Sequence, residues 1–352
     1  MYPNCKYHKT DKQAICLKRK RKGSEYCENN VKKLSSSKNE NMSEKDIPVK
    51  YPRKELLAGK QLVLKAVTEL LTADEVFFDV ETTSLKWNSD IIQIAAVSKN
   101  DIFDEYIIPS QLIVPKVSDI TGITFYDGVF AIHGHPLEAK ARKVAVHNFL
   151  KWVESKSPVL LFAHNAKFDY TRFFHAIDKE DLVKQFQKHI IGFVDTLEVF
   201  KTEYPGLVSY KQDRLVEKFL KKFYDCHNAV EDSKLLQELY NTTRPHGNAK
   251  FCTFTSAYDK WICDSACKMK TETFRSMIRK KYVSGSMAKK MAYSGLTLED
   301  LHCVYEKDGN DGLVALLSGD EAMGKPCITK HKRIINSIIS YLHKFKSKYV
   351  IV

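Results

Sequence analysis

The stretch Phe77-Phe78-Asp79-Val80-Glu81 decides how this chain is read. Side chains alternate along an extended segment, so Asp79 and Glu81 share one face while Phe78 and Val80 share the other. Val76 to Phe78 is apolar on both faces, as a central strand is. Like charges held side by side at the end of such a strand must be paired or bind a metal. Thr82, Thr83 and Ser84 close the strand, which puts the carboxylates at its mouth, where open α/β sheets place their ligands. On this stretch alone, a pair solvated by a turn stays open as the alternative.

Working outward, Ile91 to Val97 and Ile102 to Ile108 are predicted strands joined by a turn around Lys99-Asn100-Asp101. Three consecutive strands with short links imply antiparallel neighbours. Pro109 and Pro115 break the pattern, and a Gly-containing loop is expected over 119–136. A helix over Val144 to Val153 and a buried strand over Val159 to Ala163 follow. His164 to Asp169 then lies at a strand-to-helix turn, with the helix running to about Ile177. Ile190 to Val194 reads as a strand ending at Asp195, which is expected to cap a helix. Further helices are expected over Arg214 to Phe223 and Val230 to Tyr240, and upstream over Glu55 to Leu71. Antiparallel strands followed by alternating helices and strands imply a mixed sheet covered by helices. After a boundary at 242–250 the chain reads as helical and basic, ending in a helix over Ile334 to Tyr341. Cys263 and Cys267 lie one helical turn apart and are read as core packing rather than metal ligands.

At 352 residues with 43% hydrophobic content, the chain is long enough for two domains and can bury a core. It has no apolar run of membrane-spanning length, and its N-terminus is polar and Lys-rich, so a soluble, intracellular protein is expected. Nine cysteines, an odd number spread over a large chain, are read as reduced thiols. The net charge of +13 points to a polyanionic partner. Residues 1–54 carry 15 Lys+Arg against 6 Asp+Glu, and 241–352 carry 19 against 10, whereas 55–240 carry 22 against 27. The acids therefore gather where the chemistry is expected, and the basic excess lies in the flanks. Residues 1–54 have the composition of a disordered basic arm. Within it, Lys18 to Lys22 reads as a nuclear-import signal, which favours the nucleus over the cytoplasm, as a nucleic-acid contact, or equally as a solvated tail. Cys5, His8, Cys16 and Cys27 offer four zinc-ligand types, of which only Cys5 and His8 have a familiar spacing.

Four carboxylates stand at element ends: Asp79, Glu81, Asp169 and Asp232, with His227 five residues before the last. Taken singly, Asp169 and Asp232 read as first-turn helix acids, and His227 as a surface loop residue. Together, the blocks Asp79-Val80-Glu81-Thr82-Thr83, His164-Asn165-Ala166-Lys167-Phe168-Asp169 and His227-Asn228-Ala229-Val230-Glu231-Asp232 resemble the three motifs of the DEDDh-type 3′-to-5′ exonuclease family. The histidine block separates this branch from the one that uses tyrosine. Thr121-Gly122-Ile123 resembles a further segment of these enzymes, and the likeness covers about 74–240. More closely, the chain, including the tail beginning Ser294-Gly295-Leu296-Thr297, is similar to the exonuclease-like domains ending the longest form of the vertebrate promyelocytic leukaemia protein.

The resemblance implies a ribonuclease-H-like α/β fold, a mixed five-stranded sheet flanked by helices, over 55–241, with a C-terminal helical extension over 250–352. It implies two divalent ions, Mg²⁺ or Mn²⁺, with Asp79 bridging them, Glu81 and Asp232 holding one and Asp169 the other. His227 would act as general base toward the attacking water, and Thr82, Thr83, Asn165 and Phe168 would line the place of a terminal nucleotide. The expected substrate is the 3′ end of DNA or RNA, since the motifs do not separate the two. Relatives often form homodimers, although nothing in this sequence demands it. Ionised acids so close together are favourable only with cations among them. The competing expectation is an inactive exonuclease-derived scaffold that binds nucleic acid without cleaving it.

Overall fold

The computed structural model describes residues 70–345 apart from 225, 244, 246–250 and 320–326. All described residues belong to one compact unit, Gln61–Val352. The basic arm, the Lys18 to Lys22 run, the Cys5, His8, Cys16 and Cys27 set and most of the Glu55 to Leu71 helix lie outside the described residues.

Strands β1 (Asp74–Thr82), β2 (Ile91–Ser98) and β3 (Asp101–Ile108) form an antiparallel meander. Strand β8 (Val159–Ala163) pairs parallel with β1, and β9 (Ile190–Asp195) pairs parallel with β8. These five strands form the mixed sheet that the sequence implies. Two short strands enlarge it to seven, with β7 (Lys140–Ala141) beside β3 and β10 (Phe251–Thr253) beside β9. The approach of β10 explains Gly192, where a Cβ would lie 2.3 Å from the Cys252 carbonyl oxygen.

The region 119–136 is a correction. Helix α1 (Pro115–Thr121) leads into a second sheet of β4 (Ile123–Tyr126), β5 (Val129–Ile132) and β6 (His135–Pro136), where a loop is expected from the sequence. Asp127-Gly128 and His133-Gly134, all at positive φ, form its two-residue turns. Asp-Gly between strands is a strong hairpin signal. Gly122 has φ 70°, and a Cβ there would collide with the His133 ring.

Helices α2 (Arg142–Glu154) and α3 (Lys167–Asp178) cover the sheet face that carries Val76, Phe78 and Val80, contributing Phe149, Val153, Phe173 and Phe174 to its core. Helix α4 (Val183–Gln187) adds Phe186. The opposite face carries Phe77, which packs with Phe162, Val194 and Leu236. Leu236 belongs to α7 (Ala229–Thr243), whose outer side is covered by α5 (Thr196–Glu203) and α6 (Gln212–Leu220) through Phe200, Leu215, Val216 and Leu239. Helix α4 is not anticipated from the sequence, and Phe223 lies beyond the end of α6, exposed.

Helix α8 (Phe254–Thr273) has 20 residues, which spans roughly 30 Å. Phe254, Ala257 and Trp261 near its start join the sheet core, while Cys267 near its end joins a second core. Cys267 packs as expected, but Cys263 is exposed. The second core is built by α9 (Arg275–Arg279), α10 (Gly285–Tyr293), α11 (Leu298–Ser318) and α12 (Lys332–Lys344), through Met277, Met291, Leu301, Leu313, Ile338 and Leu342. Thr297 and Asp300 start α11 with a reciprocal capping box. Among the described residues, no helix is long and apolar enough to cross a membrane.

Candidate active site

Period-two alternation along β1 puts Phe77, Asp79 and Glu81 on one face. Asp232, Leu236 and Tyr240, four residues apart, form one stripe of α7. The two rows meet in opposite directions. The Phe77 ring lies 5.6 Å from that of Tyr240 and packs on Leu236, so that Asp232 arrives opposite the carboxylates of β1. One oxygen from each of Asp79, Glu81 and Asp232 can be chosen so that all lie within 4.8 Å of one another. Asp169 reaches the same end of the sheet from the first turn of α3, after β8, and is buried. The structure thus gathers all four predicted acids at the mouths of β1 and β8.

The electrostatics match this crowding. Burial, and then the charges of Asp169, Glu81 and Asp232, hold the Asp79 carboxyl well above its ordinary range. Burial and the Asp232 charge raise Glu81 from 4.5 to about 8. Burial likewise raises Asp169 and Asp232. Without cations the cluster favours protons, so a centre made only of carboxylate oxygens fits hard divalent ions.

Several side chains that the motifs do not contain hold this arrangement. Gln93 pairs across the sheet with Glu81 and is buried. Its amide donates to Asp104 Oδ1 (2.9 Å) and the Tyr106 hydroxyl (3.1 Å), and its Oε1 accepts the N–H of Ala229 (3.1 Å). Gln93 therefore fastens the first turn of α7 to β2 and β3. Asn228 caps the same helix by accepting from Val230 and Glu231. Asp232 Oδ1 accepts from the Tyr224 hydroxyl (2.6 Å) and from Gln212 Nε2 (3.2 Å), while Oδ2 accepts the His227 N–H (2.9 Å). A lone glutamine inside the apolar run of β2 was a legible signal for Gln93. No local pattern marked Tyr224 or Gln212.

His227 is exposed, at φ 74°, on the loop before α7. Its positive form favours an ionised Asp232, which puts the imidazole within electrostatic reach of that acid. Asn165 is also exposed and left-handed (φ 66°), and its N–H donates to Asp195 Oδ1. Asp195 caps α5 through Leu197, as the sequence reading has it. Phe168 packs on the sheet core under the Arg172 guanidinium, 3.7 Å from its ring centre. Thr82 and Thr83 differ from expectation, because both side chains are buried and serve the loop after β1. Thr82 donates to the Ser84 carbonyl, and Thr83 accepts from the Asp90 N–H. Arg172 fixes that loop by donating to the carbonyls of Leu85 and Lys86.

Residues 76–240 match the family described as Exonuclease, and residues 270–344 match the one described as PML, C-terminal domain. The DNA polymerase III PolC-type of Caldanaerobacter subterraneus subsp. tengcongensis is 33% identical over 176 residues, 48% of this chain but 11% of that protein. This chain thus spans about a tenth of the PolC-type relatives it matches. The DNA polymerase III subunit epsilon of Treponema pallidum is 32% identical over 177 residues, 48% of this chain and 75% of that protein. Among solved structures, an exonuclease X in complex with 5′ overhanging duplex DNA is 17% identical, with a TM-score of 0.31, over 53% of this chain and 99% of that one. With its acids gathered at the sheet mouth and three quarters of an epsilon subunit matched, this chain belongs to the exonuclease family.

Proposed function

We propose that the chain is a metal-dependent 3′-to-5′ exonuclease that hydrolyses phosphodiester bonds from the 3′ end of DNA or RNA. The observation that carries this reading is the convergence of Asp79, Glu81 and Asp232 within 4.8 Å, with Asp169 beside them. Asp79 would bridge two divalent ions, Mg²⁺ or Mn²⁺, with Glu81 and Asp232 holding one and Asp169 the other. When bound, such ions supply charge neutralisation to the attacking and leaving oxygens of an in-line displacement.

The remaining chemistry belongs to the chain. His227, on the solvent side of the acids, accepts the proton of the attacking water through a ring nitrogen. The Tyr224 hydroxyl and the Gln212 amide hold Asp232 through Oδ1, and the His227 N–H holds it through Oδ2, which together fix the carboxylate beside Asp79 and Glu81. Asn165 and Phe168 flank the terminal nucleotide, with Thr82 and Thr83 shaping the wall through the backbone they hold. A nuclear setting is part of the same proposal, resting on Lys18 to Lys22, as are the domain limits 55–241 and 250–352 and a close kinship with the exonuclease-like domains that end the long promyelocytic leukaemia protein.

The scaffold reading draws on one observation. Three donors already occupy the Asp232 carboxylate, including the His227 backbone N–H. Single-stranded DNA and RNA labelled at either end, incubated with Mg²⁺, Mn²⁺ or EDTA, decide between the two. Stepwise shortening from the 3′ end that needs the ion supports the enzyme. Binding without cleavage, in a folded protein, supports the scaffold.

A further inference from the structure

A cleft of about 520 Å³ lies between the sheet domain and the C-terminal helices. Trp87, from the loop after β1, and Lys167, from the start of α3, form one wall, and Lys260, Lys268, Lys289 and Tyr293, from α8 and α10, form the other. Its size is that of a pocket for an organic ligand, roughly 300–1,000 Å³. Four lysines face two acids there, Asp264 and Glu272, and Asp264 is engaged by Lys167 (3.2 Å) and the Tyr293 hydroxyl (3.3 Å). Lys260, Lys268 and Lys289 have no carboxylate partner within salt-bridge distance among the described residues. The lysines sit beside aromatic faces, with Lys268 Nζ 5.4 Å from the Trp87 ring centre and Lys289 Nζ 5.7 Å from that of Tyr293. Tyr293 is 57% exposed.

Cations interleaved with open aromatic rings form the pattern that binds single-stranded nucleic acid, the lysines taking phosphates and the rings taking bases. The cleft also shares a wall with the acid cluster. Lys167 stands two residues before Asp169, and Arg172 interacts with Asp169 while bonding the loop that carries Trp87. Burial lowers the Lys268 ammonium, Asp264 partly offsets this, and Lys167, Arg172 and Lys289 lower it further, so the cations act on one volume. Helix α8, packed at its start on the sheet core and at its end on the helical core, fixes the distance from these lysines to the acids.

We propose that this cleft holds the single strand upstream of the scissile 3′ nucleotide, with phosphates on Lys260, Lys268 and Lys289 and bases stacked on Trp87 and Tyr293. The inference rests on the exonuclease reading for its direction, and it gives the C-terminal helices a substrate-gripping role. The sheet domain carries more acids than bases, 27 against 22 over 55–240, and the cleft supplies attraction for a polyanion beside it.

The test uses the full chain and fluorescein-labelled oligothymidylate and oligouridylate, with anisotropy read in EDTA across a salt series. A Lys268→Ala/Lys289→Ala double variant should bind about tenfold more weakly, and its slope of log affinity against log salt should flatten by about 1.4, at ~0.7 per phosphate released from a single strand. Trp87→Ala should weaken binding by about 5- to 150-fold, the loss of one stacked base at ~1–3 kcal/mol. Because Trp87 also packs on the His175 ring, thermal melting accompanies it, and Tyr293→Ala provides a second stacking variant. Hydrolysis of the p-nitrophenyl ester of thymidine 5′-monophosphate, which is too short to reach the cleft, should be unchanged in the lysine variant. If affinity and salt slope are unchanged, if the wild type binds neither strand, if polyglutamate competes as well as the oligonucleotide, or if ester and oligonucleotide turnover fall together, the proposal is overturned. Binding lost in the lysine variant of a protein that hydrolyses nothing keeps the cleft and refutes the exonuclease. Preference between the two oligonucleotides names the sugar.

Discussion

Glu81→Gln should make the metal-free protein more stable while disabling it. Burial and the Asp232 charge carry the Glu81 carboxyl from 4.5 to about 8 in the folded chain. A folded-state value above the unfolded one means that ionisation destabilises the fold. The penalty is absent below about 4.5, grows as pH rises toward 8 and is constant above it. At pH 7 the gap corresponds to about 3 kcal/mol at ~1.4 kcal/mol per pH unit, and sharing of the proton with the neighbouring acids reduces it to about 2 kcal/mol. Removing the charge should raise the melting temperature in EDTA by about 4–8 °C for a unit of this size. The gain should vanish near pH 4 and turn into a deficit when Mg²⁺ or Mn²⁺ is added, because only wild type would bind it fully. Calorimetric melts of both proteins at pH 4, 7 and 9, with and without the ion, measure this. A variant less stable than wild type in EDTA at pH 7 would refute the claim that the cluster stores repulsion.

Asp79→Ala and Asp232→Ala should each abolish hydrolysis without unfolding the chain, as checked by circular dichroism beside an end-label assay; turnover in either would remove that acid from the centre. His227→Ala should lower the rate of the chemical step far more than it raises the metal requirement, and single-turnover kinetics over a Mg²⁺ titration would contradict its role as base if the reverse holds. Gln93→Ala removes the acceptor for the Ala229 N–H and two donated bonds from a buried site. It should cost about 1–3 kcal/mol in denaturant unfolding and depress turnover through the displaced α7. Unchanged stability would mean that Gln93 does not anchor the helix. Tyr224→Phe deletes the 2.6 Å bond that favours ionised Asp232, so the acidic limb of the pH–rate profile should move to higher pH. An unmoved limb would show that Tyr224 does not tune this acid.

The parts of this site that were legible in the sequence are those governed by local periodicity. Asp79 and Glu81 share a face because strands alternate, and Asp232 stands above Leu236 because helices repeat every three to four residues. What the supports bind was hidden for the opposite reason. Gln93 meets Ala229 across 136 residues, so no window of sequence holds both partners, and Tyr224 reaches Asp232 from an irregular loop that carries no periodicity. Thr82 and Thr83 misled because a motif position says where a residue stands and not which way its hydroxyl turns. In the 119–136 region Asp127-Gly128 is a hairpin turn with flanking strands, a local signal that outweighs the loop expected from the breakers around it. The contribution of Trp87 to a basic cleft required the C-terminal helices to be folded back beside α3, which charge counting along the chain does not convey.

The central claim is that four carboxylates form a two-ion centre. The most direct measurement is anomalous diffraction at the manganese edge from crystals of the full chain soaked in Mn²⁺. The account predicts two peaks about 3.5–4 Å apart, with Asp79 between them, Glu81 and Asp232 on one and Asp169 on the other. No peak among these residues at saturating ion, or manganese bound only elsewhere, would contradict it.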